Sequence, residues 1–175
     1  MKFLSKPLLL AAVLLPALAA AGEIAADTFT GKLNGAIQIP LSSGRWLATD
    51  TEGSAPTAVA ALRLAKAING THPTCDVTSA PGMAATASHD EIAEVIARGL
   101  RESGMDLGPM ETRRIGGRPV IRFNTVLNRQ GGAAKGDAYI LRGDKDYFFV
   151  ICAANNLAYE AARGAFEDLV AGIRY

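Results

Sequence analysis

The sequence predicts an α+β fold in which an antiparallel β-sheet is sandwiched by helices. Three observations carry that expectation. Four strand-like runs follow one another through short turns between residues 109 and 153, and short turns join antiparallel neighbours. One amphipathic helical run precedes this meander and another follows it, which suits helices packed on a sheet. Within the meander, Tyr139, Tyr147, Phe148 and Phe149 gather in one hairpin with Cys152, marking that hairpin as the centre of the core.

The chain opens with a segment to be set aside before fold reasoning. Lys2 and Lys6 form a positive head, residues 8–18 an apolar stretch interrupted by Pro16, and Ala17, Ala19 and Ala21 supply small residues at a cleavage site. This pattern is that of a cleaved signal peptide over residues 1–21, and the apolar stretch is short for a membrane span. Residues 22–175 are then expected to form one mature domain, exported to the periplasm or secreted. Without Lys2 and Lys6 the chain keeps 16 Lys+Arg against 17 Asp+Glu, a formal charge of −1. No basic stripe points to nucleic acid, and no second apolar span follows.

Along the mature chain, residues 29–33 read as a first strand with an Asn34-Gly35 turn. Ile37-Gln38-Ile39-Pro40 alternates as a strand ended by proline, and Arg45-Trp46-Leu47-Ala48 returns. Trp46, the single tryptophan, is expected to bury its ring with the indole N–H satisfied; stacking on a ligand is the second reading. Residues 58–68 allow both a helix capped by Asn69-Gly70 and a strand turning there, and their alanine content favours helix. Cys75 and Val77 share one face of a short strand.

Ser88-His89-Asp90-Glu91 is a capping box opening a helix whose stripe is Ile92, Val95, Ile96 and Leu100, closed by Gly104. Residues 109–115 and 118–127 are strands about a Gly116-Gly117 turn, with Ile121 and Phe123 on one face and Val120, Arg122 and Asn124 on the other. Residues 128–135 read as a loop before the aromatic hairpin. The last helix carries Leu157, Ala161, Phe166, Leu169, Val170 and Ile173, with Asn155 or Asn156 as its cap.

The two cysteines, Cys75 and Cys152, leave two readings open: a disulfide, favoured by an oxidising compartment, or two buried thiols. A bridge closing roughly 76 residues would contribute about 4 kcal/mol in the chain-entropy model.

Catalytic signals are sparse. His72, Cys75 and Asp76 have too few matched ligands for a metal site, and His89 is accounted for by its helix cap. No nucleophile motif, phosphate loop or dinucleotide fingerprint occurs, and no cofactor is implied. Cys152 lies in an apolar strand, where a thiol is not activated, and Asp144 and Asp146 fall at a solvated turn. The candidate binding residues are Arg114, Arg118 and Arg122, grouped about Gly116-Gly117 and extended by Arg113 and Arg129, together with Trp46. Guanidinium groups there suit carboxylates on a partner; pairing with Glu111 within the chain is the alternative.

Three pieces in order carry a resemblance. They are Ile37-Gln38-Ile39-Pro40 followed by Gly44-Arg45-Trp46; an amphipathic helix leading to Ile115-Gly116-Gly117-Arg118-Pro119-Val120; and an aromatic hairpin with a last helix ending Phe166-Glu167-Asp168-Leu169-Val170-Ala171-Gly172-Ile173-Arg174-Tyr175. Together they resemble the Mog1/PsbP-like fold, which includes bacterial DcrB-like proteins. The alanine-rich residues 58–68 and the cysteine pair depart from that pattern. The resemblance implies an antiparallel sheet between helical layers and no shared catalytic centre. It implies binding or assembly modules: photosystem subunits, a binder of a small GTPase, toxin chaperones and periplasmic toxin-neutralising proteins. The expectation is therefore an exported, non-enzymatic protein-binding module, in its sharpest form an immunity protein against a secreted effector. An accessory of an envelope complex, and a small-ligand binder or enzyme, are the alternatives.

Overall fold

The computed structural model describes residues 23–25, 28–31, 37–41, 44–49, 58–80, 82–85, 87–129 and 132–175. Residues 1–21 and the Asn34-Gly35 turn lie outside them. The strands, in order, are β1 (Glu23–Ala25), β2 (Thr28–Gly31), β3 (Ile37–Pro40), β4 (Trp46–Thr49), β5 (Ala58–Leu64) and β6 (Thr74–Ala80). A 3-10 turn (Met83–Ala85) leads into α1 (His89–Glu102). Then come β7 (Met105–Leu107), β8 (Glu111–Ile115), β9 (Arg118–Arg129), β10 (Gly132–Arg142), β11 (Tyr147–Asn155) and α2 (Tyr159–Gly172).

Eight strands form one antiparallel sheet in the order β4-β5-β6-β11-β10-β9-β7, with β8 also paired to β9. The predicted aromatic hairpin β10–β11 lies at its centre. Residues 147–150 of β11 are buried on both faces, as a strand covered from two sides requires. One face packs under α2 and β3: Phe166, Leu169, Val170, Ile37 and Ile39 meet Trp46, Leu62, Leu64, Val77, Val150 and Leu141. The other packs under α1: Ile92, Ala93 and Ala97 meet Ile121, Phe123, Ala138, Ile140 and Phe149. β1, β2 and β3 form a separate three-stranded sheet, and β3 also bridges to Arg174 after α2. This is the predicted α+β sandwich.

Cys75 and Cys152 face each other across β6 and β11 and form a disulfide, both sulfurs fully buried, spanning 77 residues of chain. The Ser88 capping box is complete: Glu91 N donates to Ser88 Oγ at 3.2 Å, and Ser88 N donates to Glu91 Oε2 at 2.8 Å.

Five expectations are corrected. Residues 58–64 are not helix but strand β5, paired on both sides by β4 and β6, with a register shift between Ala58 and Ala60. That pairing outweighs alanine's helix preference, which is a weak local term. Val95 is 52% exposed; α1 instead presents Ala93 and Ala97, whose small side chains let it sit close to the sheet. Leu157 precedes α2 and is 80% exposed, and Ala161 is exposed beside buried Ala162. Asn155 caps a turn rather than the helix: its Oδ1 accepts from Ala158 N at 2.8 Å, and Ala158 is the α2 N-cap. Residues 128–135 are mostly strand, since β9 runs to Arg129 and β10 starts at Gly132.

The β8–β9 hairpin turns through Gly116 and Gly117, at φ 58° and 80°, the left-handed pair that a two-residue turn of type I′ needs. A Cβ on Gly116 would lie 2.8 Å from Ala171 O, whereas one on Gly117 would meet nothing within 4 Å. The two positions are therefore expected to separate in urea denaturation. Gly117→Ala carries only the left-handed penalty, about 1 kcal/mol. Gly116→Ala adds a clash with the end of α2 and should lose about 2 kcal/mol or more. Equal losses would mean that the α2 contact does not constrain the turn.

Candidate functional site

Alternation along β9 decides where the candidate arginines point. Arg118 and Arg122 share the α2 face with Val120, while Arg114 pairs with Pro119 and so lies on the opposite face. The structure thus does not bring the three together. Arg118 sits under the end of α2: its Nη2 donates to Ile173 O at 2.7 Å and to Val170 and Ala171 O at 3.4 Å. Its guanidinium also lies 4.6 Å over the Tyr175 ring. A cation there satisfies terminal carbonyls and complements the helix dipole. Arg113 pairs with Glu111 at 2.9 Å and Glu167 at 3.6 Å. Arg114 is exposed, its Nη1 donating to Gly117 O at 3.0 Å. The side chain of Arg129 lies outside the described residues. Trp46 is 4% exposed, its ring 6.3 Å from that of Phe166; its indole N–H, expected to be satisfied, has no partner among the described residues.

Arg122 belongs to a cluster that the sequence reading missed. It is 1% exposed and pairs with the fully buried Asp137 of β10. Asp137 Oδ1 accepts from Arg122 Nε at 3.0 Å, from Arg122 Nη2 at 2.6 Å and from the Tyr159 hydroxyl at 2.9 Å. Oδ2 accepts from the Tyr139 hydroxyl at 3.3 Å, and Arg163 Nε lies 4.0 Å away. Asn124 Nδ2 donates in turn to the Tyr159 oxygen at 3.0 Å, and Glu111 reaches Arg122 Nη1 at 3.7 Å. Burial, then the charge of Asp137, pushes both phenols above their usual range, so they remain protonated donors. Burial opposes the charge on Arg122, but the hydrogen bonds and charge of Asp137 outweigh it and hold the guanidinium above its usual value. The carboxylate is saturated. It joins β9 and β10 to the first two turns of α2, as a clamp rather than a poised acid or base.

Two cavities lie near these elements. One of about 260 Å³ borders the clamp and is lined by Asn124, Thr125, Val126, Lys135, Tyr159 and Glu160. The other, about 370 Å³, lies between the start of β4 and the chain after β5, lined mainly by Leu64, Ala65, Ala67 and Ile68 with Arg45 and Lys66. Arg45 is held by Asp168 of α2 at 2.5 Å. His72 is engaged with Leu64 O at 2.8 Å and Cys75 lies in the disulfide, so the His72–Cys75 pair offers no free thiolate. Among the described residues no group of three or more His, Cys, Asp or Glu could hold a metal ion. Asp146, read as a solvated turn residue, accepts from Gly82 N at 2.8 Å. No helix of the described residues is long and apolar enough to cross a membrane.

No family model and no curated protein matches the sequence. Solved structures do match. The cyanobacterial PsbP protein CyanoP from Synechocystis sp. PCC 6803 aligns with a TM-score of 0.59 at 10% identity, over 89% of this chain and 92% of that one. A protein of unknown function from Pseudomonas aeruginosa, PA94, aligns with a TM-score of 0.53 at 10% identity, over 85% of this chain and 97% of that one. LpqN of Mycobacterium tuberculosis, involved in cell envelope biogenesis, aligns at 0.47 and 12% identity over 78% of each chain. With its central antiparallel sheet, helices on both faces and near full-length match to the PsbP protein, the chain has the Mog1/PsbP-like fold.

Proposed function

We propose that residues 22–175 are an exported, non-enzymatic protein-binding module of the periplasm, released by removal of residues 1–21. The observation that supports this most is the internal commitment of the reactive groups. Asp137 is saturated by buried donors, both cysteines are joined, and Arg118 and Arg122 bind the chain's own carbonyls and carboxylates. A disulfide also suits an oxidising compartment. Among the elements carrying the candidate arginines, the β8–β9 tip faces outward, with Thr112, Arg113, Arg114, Gly116 and Gly117 exposed. Arg114 is thus the candidate that stays available to a partner's carboxylate.

The test is affinity capture with a tagged chain starting at residue 22, wild type against Arg114→Glu, from envelope and secreted fractions of the source organism. One stoichiometric partner is expected, retained about tenfold less by the variant, with thermal unfolding of the variant unchanged. If that partner is a toxic enzyme, its inhibition by the wild-type chain identifies the sharper form, an immunity protein. A partner retained equally by both proteins removes the hairpin tip from the proposal, and no partner at all removes the binding reading.

A further inference from the structure

We infer that His89 is an acid-sensitive latch that holds the start of α1 to the β10–β11 hairpin, so that this edge of the apolar layer loosens in mildly acidic medium. His89 is the first residue of α1. Its ring stacks on that of Tyr147, with centroids 5.7 Å apart and planes at 16°. Tyr147 opens β11 and is fully buried. Both ring nitrogens of His89 and the Tyr147 hydroxyl are buried without a hydrogen-bond partner among the described residues. A neutral imidazole serves there as a flat plate against the phenol. An imidazolium would place a charge where nothing accepts its protons, and burying an unpaired charge is costly.

The surrounding charges act in the same direction. From β10, Arg142 lies 5.9 Å over the Tyr147 ring and donates to Ala84 O. From α1, Asp90 is the one neighbour that favours a positive ring, because the Glu91 carboxylate is turned onto the Ser88 amide. The turn after β10 offers Lys145, whose carbonyl accepts from Ala84 N, and Asp146, whose carboxylate is engaged by Gly82 N. β9 contributes Ile121 and Phe123, neither of which titrates. The positive end of the α1 dipole adds to the opposition. Burial, then Arg142, lowers the His89 pKa below its ordinary 6.5, with Asp90 acting in the other direction.

The pH dependence follows from these positions. An undocked His89 takes up its proton near 6.5, while the docked ring does so at lower pH. Between the two values the undocked state binds more protons, so docking is complete above about pH 6.5 and weakens as pH falls. The elements released are the first turn of α1 and the 3-10 segment, tied to the hairpin through Ala84–Lys145, Arg142–Ala84 and Gly82–Asp146.

The experiment is hydrogen exchange by mass spectrometry on the mature chain at about pH 7.5 and about pH 5, corrected for intrinsic rates. In wild type, peptides covering residues 82–93 are expected to lose protection several-fold on acidification while α2 keeps its own. His89→Phe keeps the aromatic plate without the proton and should abolish the difference; His72→Gln should respond as wild type. An NMR titration of the wild type, which needs no variant to fold, should place the His89 midpoint below 6.5. A midpoint at or above that value, or an unchanged acid response in His89→Phe, overturns the latch.

Discussion

Asp137→Asn is expected to destabilise the protein by about 3 kcal/mol, because it removes the nearest counter-charge of the buried Arg122 guanidinium and leaves it only the longer 3.7 Å pair with Glu111. Arg122 is 1% exposed, so water cannot take over. At about 2–4 °C per kcal/mol for a chain of this length, the midpoint of thermal unfolding should fall by about 10 °C. The same change puts an amide N–H₂ near the Tyr159 and Tyr139 hydroxyls, which now donate to the carboxylate, and it weakens the tie of α2 to β9 and β10. Arg122→Met should cost a similar amount by taking away the carboxylate's closest cation, leaving it the two phenols and Arg163 at 4.0 Å. The double variant Arg122→Met with Asp137→Leu removes both charges, and apolar packing can replace a buried pair at little or no loss. The expected signature is therefore strong non-additivity, with the double variant more stable than either single one. If each single change costs under about 1 kcal/mol and the effects add, the pair is not a clamp and α2 is held by its apolar face alone.

This cluster also shows where reading the sequence stops. The central hairpin, the capping box and the two β9 faces follow from local pattern, because hydrophobic period and cap spacing are short-range signals. Asp137 and Arg122 were visible as charges inside apolar strands, which is the signal that could have paired them. Their partnership depends on register: Asp137 stands opposite Asn124, and Arg122 opposite Tyr139. Reading residues 128–135 as a loop leaves the β9–β10 register open, and a slip of one residue moves a side chain to the other face of a sheet. In sequence Arg122 reads as a surface cation grouped with Arg114, although the β8–β9 pairing puts Arg114 opposite Pro119 and so on the other face. The alanines of β5 and α1 failed for one reason in two settings. Alanine's value at Ala60, Ala93 and Ala97 lies in its small size against a neighbour, and only the tertiary structure supplies the neighbour.

The second large effect is expected at Cys75 and Cys152. Their bridge joins β6 to β11, two central neighbours, and closes 77 residues that include β6, α1, β7, β8, β9 and β10. The chain-entropy model gives a link of that length about 4 kcal/mol, by restricting the unfolded ensemble. Cys75→Ala with Cys152→Ala should therefore lower the unfolding midpoint by about 10 °C, somewhat more if the lost sulfurs leave a cavity, since both are fully buried. Urea unfolding separates the two contributions. An entropic link acts on the unfolded chain, so breaking it should raise the urea slope as that ensemble expands, whereas a packing defect alone leaves the slope unchanged. The wild-type protein, unfolded without reductant, should show no titratable thiol; two thiols would disprove the bridge outright. The consequence reaches the proposed export. A fold that draws about 4 kcal/mol from a disulfide, out of a total stability of about 5–15 kcal/mol, matures best where thiols are oxidised. Expression of residues 22–175 in a reducing cytosol is therefore expected to yield a less stable chain, recovered to the full midpoint by oxidation.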